Sequence, residues 1–495
     1  MGSAIGLLVS STASKAPARR RTGDRRGIPG TPTTPVRADP VASARRQPGS
    51  GERNADAVHR LHRSHWRLVT TRRIRVDTTP LRTSRDFRIL FSAGVVTYLG
   101  SMFTMVAVPL QAQQLTGSFV AVGLLGLVEV VPLVIFGLWG GALADHMDRR
   151  LMILGAEIGS LVCSIALLVN AMAPQPTLWV LYVVGALAAT CDSLQRPSLE
   201  ALIPQTVAHD QLAGAAALMS LRWSAGFIIG TSIAGIVAST FGVAVAYAVD
   251  IVSFLLSIVL LFRLRSRGRV SDEGTPGLSA IGEALQYAWT RKDLLGTYAI
   301  DTLAMVLAFP TAVFPFVAQK YDAPWALGLL YASEAVGSTI ASLTSGWTSR
   351  VNLHGRAIVV AATLYGLAIA GVGVAPSLAV TLGFLMLAGM FDMVSGLFRQ
   401  LVWNQSIPST LRGRMAGVEL LSYSVGPQLG NARVSLVAQS RGLGVSIASG
   451  GILCAAGVLA LAAALPTLWR YDVRTSPDVA MVRRERLDST SYDEL

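Results

Sequence analysis

From Phe87 to Leu468 the chain alternates long apolar stretches with short polar breaks. Each stretch is about the length an α-helix needs to cross a hydrocarbon layer roughly 30 Å thick. Twelve spans are predicted, near residues 87–111, 120–143, 151–172, 177–196, 212–238, 243–263, 294–318, 325–348, 356–375, 378–403, 414–438 and 445–468. The longest central break, about Arg263 to Asp293, divides them six and six. Its second part places Ile281, Leu285, Ala288 and Trp289 on one helical face, the pattern of an interfacial helix on the inner leaflet. Each half carries Ile-Pro after its fourth span, at Ile203-Pro204 and Ile407-Pro408, and then Ala-Gly, at Ala213-Gly214 and Ala416-Gly417. Offsets of 204 and 203 residues suggest a parallel duplication of two six-helix halves. The predicted fold is an all-α integral membrane protein with twelve transmembrane helices in two six-helix bundles. Residues 86–263 form the first bundle, 264–293 a cytoplasmic linker, 294–468 the second bundle and 469–495 a cytoplasmic tail.

Composition makes lipid the solvent for most of the chain. Hydrophobic residues are 52% of it and charged residues 14%, with a mean hydropathy of +0.51. The net charge of +13 is concentrated in residues 1–86, which hold 18 Lys or Arg against 6 Asp or Glu. The basic balance thus belongs to a tail and gives no reason to expect nucleic-acid binding. Residues 1–85 are rich in Arg, Pro, Ser, Gly and Thr, too polar to form a core, and read as a disordered extension. Ile5–Val9 is too short an apolar region for a secretory signal and precedes the basic cluster. Two readings of this segment stay open: a basic tail contacting anionic lipid, or a translation start set too far upstream. Counting Lys and Arg in alternate loops and the C-terminal tail gives eighteen on one face and two, Lys320 and Arg441, on the other. By the positive-inside rule both termini are cytoplasmic. Trp179 and Trp325 fall in the outer interfacial belt, and Trp347, Trp403 and Trp469 in the inner one.

Several chemistries are excluded on residue type. Cys163, Cys191 and Cys454 lie in apolar spans without CxxC spacing or nearby histidines, so neither a disulfide framework nor a metal site is expected. All six histidines fall in the leading segment or in predicted cytoplasmic turns, which leaves no Ser-His-Asp or Cys-His set within the spans. None of the three lysines belongs to a phosphate-cradling GxxxxGK[ST] loop. An enzyme, a cofactor or direct ATP drive is therefore not predicted.

The run Gly141-Ala-Leu-Ala-Asp145-His-Met-Asp148-Arg149-Arg150 closely resembles the loop between spans two and three of the major facilitator superfamily, with His146 and Asp148 in place of the commoner basic residue and glycine. Asp145 is suited to accept hydrogen bonds from the open N-terminus of another helix. The resemblance implies that this is span eleven, near Arg412–Arg414, and that Gly141, Asp145, Arg149 and Arg150 form a conformational latch; the alternative is a topology anchor with a solvated charge run. In span five, Gly226, Gly230 and Gly235 have the spacing of the family's antiporter motif, though Thr231 stands where proline is expected and Ala234 where glycine is. Close helix packing explains the same glycines. Further pieces, including Val106-AVPLQ, Asp250-IVSFLL, Leu329-LYASEAVGSTIASLTSGW and Leu411-RGRM, resemble the bacterial enterobactin-exporter and macrolide-efflux branch over nearly all of the membrane portion.

The resemblance implies a carrier in a bacterial plasma membrane that works by alternating access with proton antiport, its cavity lined mainly by spans one, four, seven and ten. Ionisable residues at membrane depth are expensive and usually paired or functional. Asp392, Asp301 and Asp192 fall on cavity helices, and Glu129 on a helix between the halves, so these four are the proton-coupling candidates. For Asp392 the alternative is a structural ion pair with Arg399, seven residues on; for Asp192 it is a pair with Arg196. Asp250 and Glu157 sit on helices expected at the periphery, and Ser101 stands where many relatives carry an acid. Tyr98, Met102, Gln195, Met305, Phe309 and Phe391 are candidate cavity residues, an adaptable apolar and aromatic set suited to amphipathic molecules. The expected protein is a monomeric, proton-coupled exporter of siderophores, antibiotics or other amphipathic small molecules, in contact with membrane lipids. An uptake permease of the same fold and a non-transporting sensor or scaffold remain the alternatives.

Overall fold

The computed structural model describes residues 77–265, 286 and 289–493, with side chains described at all of these except 138–146, 409–414, 416–422 and 486–493. Residues 1–76 of the basic extension and the linker positions Ile281, Leu285 and Ala288 fall outside the described residues, whereas Trp289 is described and exposed. The end of the extension corrects the expectation of disorder: Thr79–Thr83 is a short helix with Pro80 buried, and Ser84 caps span one by accepting from Phe87 N at 3.1 Å.

Apolar runs of this length leave the backbone one solution, because in lipid each N–H and C=O must be satisfied within its own segment. Accordingly the first half is built from span one, Arg85–Thr116, span two, Phe119–His146, span three, Arg149–Met172, span four, Leu178–Leu202, span five, Leu212–Thr240, and span six, Val243–Phe262. In the second half, span seven is split into Lys292–Ala308 and Phe314–Lys320. It is followed by span eight, Leu327–Leu343, span nine, His354–Val374, span ten, Leu378–Ser406, span eleven, Ser409–Arg441, and span twelve, Leu443–Ala464. Eleven of these are apolar enough to cross a membrane on composition alone. Span eleven is more polar, but its 33 residues extend about 50 Å at 1.5 Å each, enough for the twelfth crossing. Outward-facing Val131, Leu151, Val162, Leu256 and Ile452 are more than half exposed, as lipid-facing side chains are.

Packing divides the spans into two sets. In the first, span one packs on five and six, three on four and six, and two on four; in the second, nine packs on ten and twelve, eight on ten, and seven on eleven and twelve. The sets meet through two pairs, span two with span eleven and span five with span eight. The internal duplication is also visible in the backbone. Gly242 (φ 91°, ψ 160°) before span six and Gly442 (φ 89°, ψ 158°) before span twelve share a conformation essentially reserved for glycine.

One placement corrects the sequence reading. Trp179 and Trp325 are exposed, but Trp403 is not an interfacial anchor. Span ten continues past it to Ser406, and its ring is buried, stacked on Tyr298 at 4.9 Å, while its indole N–H donates to Thr297 Oγ1 at 2.8 Å.

Candidate functional site

Span seven breaks where the sequence reads Ala308-Phe309-Pro310. Phe309 leaves the helical conformation at ψ 111°, which suits the residue before proline, and a short turn, Thr311–Val313, separates the two helical pieces. The freed backbone groups find partners from neighbouring helices. Arg433 of span eleven donates to Leu307 O at 3.0 Å, and Asn431 accepts from Ala312 N at 2.9 Å and from Thr311 Oγ1 at 3.0 Å. Tyr331 and Tyr365 donate to Thr311 O at 3.3 Å and Ala308 O at 3.4 Å. Arg433 is committed to carbonyls inside the second half, including Ser446 O at 3.1 Å.

Beside the break lies a cavity of about 200 Å³. Its aromatic and apolar wall includes Phe227, Met305, Phe309, Tyr331, Trp403 and Tyr423; its polar wall includes Asp301, Glu334, Asp392 and Arg399. Pro427, also on the wall, lies within span eleven. Glycines at 426 and 430 let that helix close on span seven, since a Cβ at either would run into Met305.

The charges form one cluster. Arg399 Nη2 of span ten lies 2.8 Å from Asp301 Oδ1 of span seven and 3.8 Å from Asp392 Oδ1, while Nη1 donates to Ser395 Oγ at 3.1 Å. Asp392 and Arg399 thus do meet, as the seven-residue spacing allows. The tighter partner is Asp301, which the sequence could not place because it comes from another helix 98 positions away. Three carboxyls, Asp301, Asp392 and Glu334, share the wall with one guanidinium.

Of the other acidic candidates, Glu129 accepts from Gln428 Nε2 of span eleven at 3.2 Å, a contact between the halves. Asp192 is exposed. Its expected partner Arg196 turns to Glu200 instead, Nε to Oε1 at 3.2 Å, with its guanidinium 5.5 Å from the Tyr423 ring. Among the candidate cavity residues, Met305 and Phe309 line the cavity. Tyr98 packs on Trp223 at 4.6 Å, Met102 is buried against Gly230, Gln195 donates to Glu157 at 2.9 Å, and Phe391 packs on the core.

The three glycines of span five separate into two roles. A Cβ on Gly226 would meet the Tyr98 ring and one on Gly230 would meet Met102, so these admit span one. Gly235 instead faces Gly328 of span eight, backbone against backbone, and a Cβ on either would overlap the other helix. Thr231, in the expected proline position, is fully buried with its hydroxyl donating to Phe227 O at 2.7 Å, and because it keeps the backbone N–H that proline lacks, span five runs unbroken. The halves also touch through Gln113 Nε2, which donates to Gln319 Oε1 at 2.6 Å, through Gln439, which accepts from Phe119 N at 3.1 Å, and through Phe119 stacked on Phe316 at 4.0 Å. These contacts all lie at the end that holds the turns at Gly117, Gly242 and Gly442.

At the opposite end, Asp148 caps span three by accepting from Arg150 N at 2.9 Å. This gives a purpose to an aspartate where the resembling loop commonly has glycine. Arg149 is buried, and Arg150 Nη2 donates to Phe262 O, at the C-terminus of span six, at 2.8 Å. Gly141 and Asp145 lie in the last turns of span two, and the expected contact of Asp145 with span eleven falls outside the described side chains.

Comparison with known proteins agrees in family and fold. The family model described as Major Facilitator Superfamily matches residues 90–431. The protein "Enterobactin exporter EntS" of Citrobacter koseri is 26% identical over 373 residues, covering 75% of this chain and 88% of its own. That of Shigella boydii is 27% identical over 383 residues, covering 77% and 92%. Among solved structures, an inward-facing, unoccupied bacterial homolog of the human lysosomal transporter Spinster superposes with a TM-score of 0.60 at 15% identity, covering 79% of this chain and 98% of that one. The nucleoside transporter NupG gives 0.59 at 13% identity, covering 78% and 100%. These structural likenesses bear on the fold alone.

Proposed function

The chain belongs to the major facilitator superfamily, as a multi-pass membrane transporter of small molecules, and from that premise we propose that it is a proton-coupled exporter of siderophores or related amphipathic compounds in a bacterial plasma membrane. The observation that carries this reading is the cluster of Asp301, Asp392 and Arg399 at the cavity wall. Arg399 is held firmly by Asp301 and loosely by Asp392, so Asp392 can gain or lose a proton without leaving the guanidinium stranded. A proton taken up there changes the charge that a substrate meets, which is what exchange requires of a shared site.

Aromatic rings beside one guanidinium and several carboxyls suit a ring-bearing, partly polar molecule better than a sugar, which needs many amide and hydroxyl partners. The cavity is smaller than the ~300–1,000 Å³ typical of ligand sites, so a siderophore-sized compound requires the halves to part further. Resemblance to exporters named for enterobactin supports the direction and substrate class.

Both termini are assigned to the cytoplasm by the arginine bias. The end at which Gly235 meets Gly328 is then external, and the described conformation is closed outward. Alternating access would consist of parting that contact while the latch around Asp145, Arg149 and Arg150 engages. The chain is taken to work as a monomer, with 86–263 and 294–468 as its moving halves and 264–293 and 469–495 on the cytoplasmic side. Transport of enterobactin and a panel of lipophilic antibiotics into everted vesicles under an imposed pH gradient tests the reading. Accumulation driven by an acidic lumen is expected; gradient-stimulated movement the other way would instead make the protein an uptake permease.

A further inference from the structure

Two carboxyls of the first half play no part in the cluster above. Glu157 of span three and Asp250 of span six are 3% and 1% exposed, and neither has an ion-pair partner among the described residues. Each is held by neutral groups. Thr97 Oγ1 donates to the Glu157 carboxylate at 3.1 and 3.2 Å, and Gln195 Nε2 donates at 2.9 Å. Asp250 Oδ2 accepts from Thr104 Oγ1 at 2.6 Å and from Ser164 Oγ at 2.7 Å, with Ser101 within reach of the same carboxyl.

Spacing turns these contacts into a column. Thr97, Ser101 and Thr104 recur at i, i+4 and i+7 on span one, and Asp250, Ser253 and Ser257 at i, i+3 and i+7 on span six. Such positions lie along one helix face. Span three supplies the two ends, with Glu157 and Ser164 seven residues apart. Ser257 of span six is fully buried with its hydroxyl beside the Glu157 carboxylate. Span six thus reaches both acids, carrying Asp250 itself and, seven residues on, Ser257 beside Glu157.

We propose that this column is a proton relay, with Glu157 and Asp250 as its two stations and the hydroxyls of Thr97, Ser101, Thr104 and Ser257 as its path. The proposal rests on the proton-coupled reading above and names a second protonation site for it, in the other half of the protein. A hydroxyl can donate to a carboxylate and accept from a carboxylic acid, so it serves both protonation states, whereas a guanidinium serves only the ionised one. Successive hydroxyls on span one are a turn apart, roughly 5–6 Å, a gap that one water bridges. The relay opens at the Glu157 end, where Gln195 leads along span four to exposed Asp192. It is closed beyond Asp250, where buried Tyr247 donates to buried Gln111 at 2.7 Å. The charged and titratable groups facing the stations are Asp192 from span four and Tyr247 from span six near Asp250, and Asp192 and Arg222, the latter from span five, near Glu157. Cys163 and Cys191 lie alongside, near Asp192. The acid that span one lacks at Ser101 is thus supplied from span six.

Infrared difference spectra of the full chain in lipid, recorded across a pH step, test this directly through the carbonyl stretch of protonated carboxyls. Wild type is expected to show at least two such bands, one abolished by Asp250→Asn and another by Glu157→Gln. Thr104→Val, which keeps side-chain shape, is expected to shift the Asp250 band while leaving the Glu157 band in place, and so remains informative if an acid variant fails to fold. Carboxyl bands that are all unchanged by both acid substitutions, or the absence of any pH-dependent carboxyl band, would overturn the relay. Intact bands in a protein whose vesicles show no gradient-driven transport would contradict the exporter reading and leave the relay standing.

Discussion

Arg399 of span ten binds Asp301 of span seven, Nη2 to Oδ1 at 2.8 Å, with both side chains buried. The pair bridges two helices beside the cavity, one of which is broken a few residues farther on. It therefore fixes one wall of that cavity.

Removing the cation should be costly. Arg399→Gln removes the guanidinium that buried Asp301 binds, and breaking such a pair costs about 3–5 kcal/mol. Thermal unfolding of the purified variant in detergent should show a clear loss of stability, together with near-complete loss of transport. Asp392→Asn should unfold close to wild type, because its contact with Arg399 is the longer one at 3.8 Å. Equal destabilisation by the two substitutions would refute this division of labour.

The contact between Gly235 and Gly328 should tolerate no side chain in the described conformation. Gly328→Leu is expected to force spans five and eight apart, because the added Cβ overlaps the carbonyls of Thr231 and Ser232. A cysteine at an external position of the cavity should then label faster with a membrane-impermeant reagent than it does in an otherwise wild-type background, with transport reduced at least tenfold. Unchanged labelling would place the closure elsewhere.

Asp145 and Asp148 should separate although they are three residues apart. Asp148→Ala removes a helix cap, a loss of about 0.5–2 kcal/mol, and should lower the unfolding temperature with modest effect on transport rate. Asp145→Asn should leave stability nearly unchanged and reduce transport strongly, as expected of a latch. Comparing melting curves and initial rates for both variants decides it.

The tail should dock in a pH-dependent way. Burial pushes the phenol of Tyr471, beyond the last span, above its ordinary value. The undocked phenol then ionises first, so docking is complete below the ordinary tyrosine pKa of about 10 and weakens as pH rises past it. Limited proteolysis of the segment Pro477–Asp493 should accelerate in that range for wild type. Tyr471→Phe should remove the dependence, and persistence of it in the variant would assign the effect to another group.

Much of the architecture was legible from the sequence because lipid permits so few solutions: span length and the six-and-six division follow from one dimension of the chain. The site was legible only in part. Asp301 and Asp392 could be picked out as carboxyls at membrane depth, but their joint partner Arg399 follows from the approach of spans seven and ten, which periodicity does not encode. Phe309-Pro310 did signal the break in span seven, since the residue before proline leaves the helical region, yet an apolar run read for length alone passes through it. Read one by one, Asp250 and Glu157 fall on helices expected at the periphery. Only the facing stripes of spans one, three and six reveal their shared column.

The proposed exchange of substrate against protons runs through the cluster of Asp301, Asp392 and Arg399. Its most direct test is uptake of labelled enterobactin by everted vesicles with an acidic lumen, comparing wild type with Asp392→Asn. Wild type should accumulate the compound, with accumulation that collapses when the gradient is dissipated and falls at least tenfold in the variant. Equal accumulation by both proteins, or accumulation indifferent to the gradient, would contradict it.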